Sequence, residues 1–286
     1  MKAGRASRTA ELVCMGRAAA QRRTSVMGFD DPTALDLLPE KARLQVERFR
    51  ARPPPKGVRQ LLARAHLSRL AEMMAARTVA IDNAIRSATG QQMVILGAGL
   101  DGRAWRMPEL RDTTVFEVDH PDSQREKLAR VSGLTQTARA VRFVSVDFER
   151  DPLDEKLASA GHDLDIATTW VWEGVVMYLT RADIERTLAV VERRSAPGSR
   201  LIVVYHRPGV MRGLAALFFR GAGEPLRSAF TPDAMGALLE AYGFSIVSDE
   251  DVTTLAASLS ANGKTNNRVA RMLNVLRIAV ADRATR

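Results

Sequence analysis

The stretch from Met93 to Arg106 constrains this chain more than any other. Val94-Ile-Leu96 reads as a short apolar strand that runs straight into Gly97-Ala98-Gly99-Leu-Asp-Gly102 and then into a helix. Glycines at G-x-G-x-x-G spacing permit a tight turn and let a ligand approach the backbone, and the helix start presents free N–H groups. Asp119 stands twenty-two residues after Gly97, at the end of the next apolar run, Val115-Phe-Glu-Val-Asp119. A carboxylate at that strand end accepts hydrogen bonds from both hydroxyls of a ribose. Turn glycines and a capping aspartate are the plainer alternative. The order strand, loop, helix, strand, acid favours a bound nucleoside-like cofactor.

The same texture continues to the C-terminus. Apolar runs at Met93–Leu96, Val115–Val118, Val141–Val146, Leu164–Thr168, Leu201–Tyr205, Phe244–Val247 and Val275–Val280 alternate with helical patterns at Asp122–Val131, Pro152–Ala160, Ala182–Arg194 and Pro232–Tyr242. Such alternation predicts an α/β fold: a seven-strand, mostly parallel sheet with helices on both faces. The last two runs lack a long crossover helix between them, so one antiparallel edge strand is expected. Residues 1–90 read instead as a helical cap, with helices over Arg8–Gln21, Glu40–Arg50 and Val58–Ser87 and a break at Pro53-Pro54-Pro55. The expected organisation is a cap at 1–90 and a sheet domain at 91–286. An insertion at 207–230, rich in glycine and carrying the apolar run Leu214–Phe219, is either a wall of a substrate pocket or a packed surface excursion.

Charge bears on the partner. The chain carries +9 overall, from 42 Lys+Arg against 33 Asp+Glu. On its face that suggests a polyanion. Residues 1–90 hold 17 basic and 8 acidic side chains, and the remainder is balanced, so the whole excess lies in the cap. Only Phe29 and Phe49 are aromatic there, which is poor for stacking single-stranded nucleic acid. A nucleic-acid-binding protein stays as the alternative from another class. The single cysteine, Cys14, excludes a disulfide framework and a cysteine-based zinc site, and no metal site is expected. No apolar run is long enough to span a bilayer. Arg17 interrupts the run that a secretory signal would need, and a mitochondrial presequence remains open. The expected location is the cytoplasm.

Two cofactor classes share the glycine-loop layout: the dinucleotide NAD(P) and S-adenosyl-L-methionine (SAM). An oxidoreductase would want a Tyr-x-x-x-Lys pair or zinc ligands, and neither is visible. A second acid, Asp147, ends the third run in Phe143-Val-Ser-Val-Asp147-Phe148. That pair suits an adenine, whose amino group the carboxylate accepts and whose ring the phenyl covers. These features favour SAM, with an NAD(P)-dependent oxidoreductase as the enzymatic alternative.

Five ordered segments carry a resemblance to a known family. They are Ser7-Arg-Thr-Ala10 through Arg17-Ala18 with Phe29–Ala34, Ala76-Arg77-Thr78 through Asp82, Leu96–Arg106, Glu117-Val-Asp119-His120-Pro121, and Trp172-Glu173-Gly174 through Tyr178-Leu179. Together they resemble the leucine carboxyl methyltransferase family of SAM-dependent O-methyltransferases, most closely its bacterial, polyketide O-methyltransferase-like branch. The resemblance implies a Rossmann-like class I methyltransferase sheet that takes SAM and releases S-adenosyl-L-homocysteine (SAH). It implies that Arg77 pairs with the methionine carboxylate and that Gly97, Ala98 and Gly99 admit the cofactor to the backbone. Asp119 would serve the ribose, Asp147 and Phe148 the adenine, and Glu173 the methionine end, with His120 a further cofactor-binding residue. Arg17 is a weaker correspondence, because its spacing to Asp31-Pro32 differs from the family's.

The resemblance does not extend to the acceptor side. The expected acceptor is a carboxylate or hydroxyl of a small molecule such as a secondary metabolite, bound by a monomer or homodimer with no nucleic acid or membrane. A carboxylate needs no base, whereas a hydroxyl does. His206 ends the fifth apolar run and is the candidate base, and its neighbours Tyr205 and Arg207 are candidate substrate contacts.

Overall fold

The computed structural model describes residues 8–51, 57–148, 150–208, 226–261 and 276–284. Three helices come first: α1 (Arg8–Ala20), α2 (Glu40–Arg50) and α3 (Val58–Arg86). Buried positions on α3 recur at helical spacing from Leu67 through Leu70, Met74, Arg77, Ile81 and Ile85. The sheet part follows as β1 (Gln92–Leu96), α4 (Arg103–Arg106), β2 (Thr114–Asp119), α5 (Pro121–Val131), β3 (Ala140–Ser145) and α6 (Leu153–Ser159). It continues as β4 (Thr168–Trp172), α7 (Arg181–Arg193), β5 (Arg200–His206), α8 (Pro232–Ala241), β6 (Phe244–Asp251), α9 (Val252–Leu259) and β7 (Leu276–Arg283).

The strand order is β3-β2-β1-β4-β5-β7-β6. Strands β1 to β5 pair in parallel, and β7 runs antiparallel to both β5 and β6. The expected antiparallel strand is therefore present, but one place in from the rim. The crossover through α8 leaves a gap one strand wide between β5 and β6, and β7 fills it with the buried residues Ile278, Ala279, Val280 and Ala281. Order reverses at β1, whose neighbours are β2 and β4, and a crevice opens at such a switch point beyond the carboxyl ends of the strands.

Two sequence expectations are corrected. The fourth strand is Thr168–Trp172, not Leu164–Thr168. All five of its residues are buried, so it shows no apolar–polar alternation, while Leu164 is half exposed beside an aspartate turn in which Asp163 accepts from the Asp165 N–H. A helix, α9, also stands between β6 and β7. Asp251 caps it by accepting from the N–H groups of Thr253 and Thr254. Helix α9 packs on α3, and Ser260 bridges to Val26, so the C-terminal part of the chain braces the cap.

Alternation along the central strands builds two cores. Met93, Ile95, Val115, Val171, Ile202 and Ile278 face a core shared with Cys14, Leu37, Leu70, Met74 and Ile81 of the cap. Val94, Leu96, Phe116, Trp170, Val203 and Ala279 face the opposite core with Leu157, Leu188 and Leu239. The described residues of the cap thus form one layer of the fold rather than a unit with its own core. Of the insertion at 207–230, residues 209–225 lie outside the described residues. Its end is fixed where Arg227 and Ser228 donate to the Met177 carbonyl and Phe230 donates to the His206 carbonyl. No helix among the described residues is long and apolar enough to cross a membrane.

At the far end of the sheet His162 is buried between Phe116 and Trp170, with ring centres 5.3 and 5.5 Å away. Its Nε2 meets Thr168 Oγ1 at 3.1 Å. Burial, helped by the nearby Arg194, pulls its pKa down to about 4. The folded state therefore takes up this proton later than the unfolded chain, whose histidine titrates near about 6.5. Stability is expected to fall as pH drops from about 6.5 towards 4, by roughly 3 kcal/mol at the lower limit. Urea unfolding across that range checks it, and His162→Asn should flatten the dependence.

Candidate functional site

A cavity of about 420 Å³ opens beyond the ends of β1 to β4, beneath α1 and α3. Its wall contains Arg77, Gly97, Ala98, Gly99, Asp119, His120, Asp147, Phe148 and Glu173. All nine expected cofactor residues therefore line a single space. The loop after β1 turns back sharply: the N–H groups of Gly97 and Ala98 both donate to the Val118 carbonyl, at 2.8 and 3.0 Å. Gly97 sits at φ +72° and Gly99 at +46°, both in the left-handed region that glycine adopts freely. A Cβ on Gly97 would also lie 2.2 Å from a methyl of Val175.

Asp119 is aimed by the backbone around it. Its two carboxylate oxygens accept from the N–H of Gly99 at 2.5 Å and of His120 at 2.6 Å. That leaves each oxygen capacity to accept from a ligand. Burial pushes this carboxyl above its ordinary range, and the two backbone donors with Lys127 and His120 oppose the rise. His120 caps α5, its Nδ1 accepting from the Asp122 N–H.

The methionine end expected from the sequence is a buried charge network. Arg103 is completely buried. Its Nε donates to Asp82 at 2.8 Å, and its Nη1 donates to Asp101 and, at 3.0 Å, to Glu173. Glu173 also pairs with Arg77 Nη2 at 2.6 Å. Arg106 donates to both oxygens of Asp82, at 2.7 and 3.0 Å, and Asp31 lies between Arg17 and Arg106, at 3.5 and 3.7 Å. Four arginines thus face four carboxylates, a balanced set. Burial by itself would raise Glu173, Asp101 and Asp82, but the guanidinium groups outweigh it and hold all three below the ordinary carboxylate range.

Four buried donors of this network lack a hydrogen-bond partner among the described residues: Arg17 Nε, Arg77 Nε, Arg103 Nη2 and Arg106 Nε. Of these arginines Arg17 and Arg77 line the cavity, with Arg17 Nε 3.5 Å from Asp31. A buried N–H left unpaired is costly, and a ligand carboxylate would satisfy it. Because the network is balanced, an amino-acid zwitterion adds no net charge to it. The residues present therefore fit a ligand with an amino-acid end, a ribose and an adenine.

The three acceptor-side candidates are not on the cavity wall. Tyr205 is fully buried, and its hydroxyl donates to Asp249, which Arg277 also grips. Burial and the Asp249 carboxylate push that phenol well above its ordinary range, so this side chain serves the β5–β7–β6 packing rather than a substrate. His206 ends β5, and Arg207 is exposed beside it. The wall instead includes Thr9, Asp101, Ser123, Tyr178 and Arg227, which sequence reasoning gave no role. The Thr9 and Tyr178 hydroxyls meet at 3.0 Å, joining α1 to the segment after β4. Thr9, Asp101 and Tyr178 stood in quoted motifs, whereas Arg227 had no local signal.

Comparison with known proteins bears on the family and the fold. The leucine carboxyl methyltransferase profile matches residues 10–192. A protein of Streptomyces coelicolor, provisionally named an S-adenosyl-L-methionine-dependent methyltransferase, is 34% identical over 59% of this chain, and the match spans 60% of that relative's length. A relative from Mycobacterium sp. (strain JLS) with the same provisional name is 32% identical over 76% of this chain and 78% of its own length. Among solved structures, a DUF574-family protein from Streptomyces avermitilis shares the fold, with a TM-score of 0.60 and 15% identity over 97% of this chain and 98% of that one.

Arg103 is the site's testable centre. Arg103→Met would leave Asp101, Asp82 and Glu173 short of their shared cation. The expected cost is about 3–5 kcal/mol of stability, as for other buried pairs broken from one side, and urea unfolding measures it.

Proposed function

This chain belongs to the leucine carboxyl methyltransferase family, and from that premise we propose that it is a SAM-dependent O-methyltransferase acting on a small molecule. The observation that carries the reading is the convergence of Asp119, Asp147, Phe148, Arg77 and Glu173 on one cavity. Bound SAM supplies a methyl group on a sulfonium, open to in-line displacement by an acceptor oxygen. The protein's part is to hold and orient the partners and to exclude water.

Each residue then has a task. Asp119, oriented by two backbone N–H groups, accepts from the ribose hydroxyls. Asp147 accepts from the adenine amino group, and Phe148 covers the ring. The unpaired Nε of Arg77 takes the methionine carboxylate. Glu173, kept ionised by Arg77 and Arg103, accepts from the ammonium. Helices α1 and α3 of the cap close the cavity from above through Thr9, Arg17 and Arg77.

For the acceptor, the cavity favours a carboxylate. Among the described residues His120 is the one histidine on the wall, and its Nδ1 already accepts from Asp122. A carboxylate is ionised at neutral pH and needs no base. A hydroxyl acceptor of the polyketide type, with His206 as base, is the second form of the same reading.

Calorimetric titration with SAM, SAH, NAD and NADP separates the cofactor classes. SAH is expected to bind, and NAD binding without SAH binding would overturn the assignment. Asp119→Ala and Arg77→Ala should each weaken SAH binding by about 1.5–3 kcal/mol, the usual range for a hydrogen bond to a charged group. His206→Ala should leave methylation of a carboxylate acceptor intact, and loss of turnover with preserved SAH binding would support the hydroxyl form.

A further inference from the structure

Beneath the ribose end of the cavity lies a charge pair that the proposed chemistry leaves unused. Lys127 on α5 is 2% exposed and Glu117 on β2 is 1% exposed. The ammonium lies 2.7 Å from one oxygen of Glu117 and 2.6 Å from the other. It also stands 5.1 Å from the centre of the Trp105 ring on α4. Neither charged residue is on the cavity wall, yet each element that meets at this cation contributes to that wall or adjoins it. Strand β2 ends in Asp119, helix α5 starts after His120 and presents Ser123, and α4 follows the glycine loop.

Stability is a weak reason for such a pair. Desolvating two ions offsets most of their attraction, and apolar replacements of similar volume are often as stable. Apolar contact does not supply direction. An ammonium that donates to one oxygen of a carboxylate and lies against the other fixes how far α5 stands from β2 and how it is rotated about its axis. Ser123 lies one helical turn before Lys127 on the same face, so a rotation of α5 would carry it and His120 away from their present places. The ammonium also bears on Asp119, where its field opposes the effect of burial.

We propose that Lys127, anchored by Glu117, is a positioning residue for cofactor binding: it sets α5 against β2 and the glycine loop so that Asp119, His120 and Ser123 meet the ribose in one geometry. This rests on the SAM reading above.

The test uses the full chain and the double replacement E117M/K127M, which removes both charges at similar volume. Its thermal midpoint is expected at or above that of the wild type. Calorimetry should show SAH binding weakened at least about tenfold, the lower bound for losing a hydrogen bond to a charged group. A stable E117M/K127M protein that binds SAH as tightly as wild type overturns the proposal. K127R, which keeps the cation, should retain most of the affinity that K127M loses, and equal affinities in these two variants also count against it. Ligand-free hydrogen exchange covers a double replacement that folds poorly: in K127M, amides 119–124 should exchange faster while those of β4 and β5 do not. Unchanged exchange at 119–124 overturns the proposal. Absence of SAH binding by the wild-type protein would instead sink the cofactor reading, and the exchange result would still report on α5.

Discussion

The structure depends on one buried cation. Arg103 lies at the start of α4, immediately after the glycine loop, and holds Asp82 of the cap, Asp101 of the loop and Glu173 beyond β4. Without it, three carboxylates would stand in a low-dielectric interior with too little opposing charge. With it, cap, loop and central strand are joined at one point. Arg106 and Arg17 extend the join to Asp31, so the segment between α1 and α2 is drawn to the same place. The cavity exists because these pieces are held apart and in register by charge as well as by apolar packing.

That arrangement also accounts for the uneven charge of the chain. Among the described basic residues of 1–90, burial ranges between two extremes, with Arg50 and Arg64 half-buried between them. Arg17 and Arg77 are buried and paired within the balanced network. Arg22, Arg23, Arg43 and Arg59 are exposed. The buried pair faces the cavity, and the exposed ones cover the outer faces of the cap as solvated charge. A whole-chain charge hides this division, because solvation and not sign separates the two groups.

Backbone and side chains share the work of holding Asp119 in place. Two N–H groups orient Asp119, and the Lys127–Glu117 pair lies one layer below. The loop's tightness leaves no room for side chains: a Cβ at Gly97 meets Val175, and one at Gly102 would lie 2.2 Å from the Thr33 hydroxyl. The glycine spacing thus serves close packing against both the cap and the segment after β4.

What the sequence by itself determined was local. Glycines before a helix, an acid at each of two strand ends and apolar runs of strand length announce themselves within a few residues, because φ preferences and burial periodicity act at short range. Gly97, Gly99, Asp119, Asp147 and Phe148 were therefore legible, and so were all three cap helices. Arg77 and Glu173 needed a family resemblance, since an arginine or a glutamate on a helix or loop carries no mark of what it will face. The tertiary structure alone decided the rest. It slid the fourth strand to the buried Thr168–Trp172 run, inserted β7 between β5 and β6, committed Tyr205 to Asp249 and gathered four arginines around four carboxylates. Each of these outcomes turns on which distant groups meet in the absence of water. Pairing, desolvation and packing are properties of the assembled interior, and no window along the chain contains them.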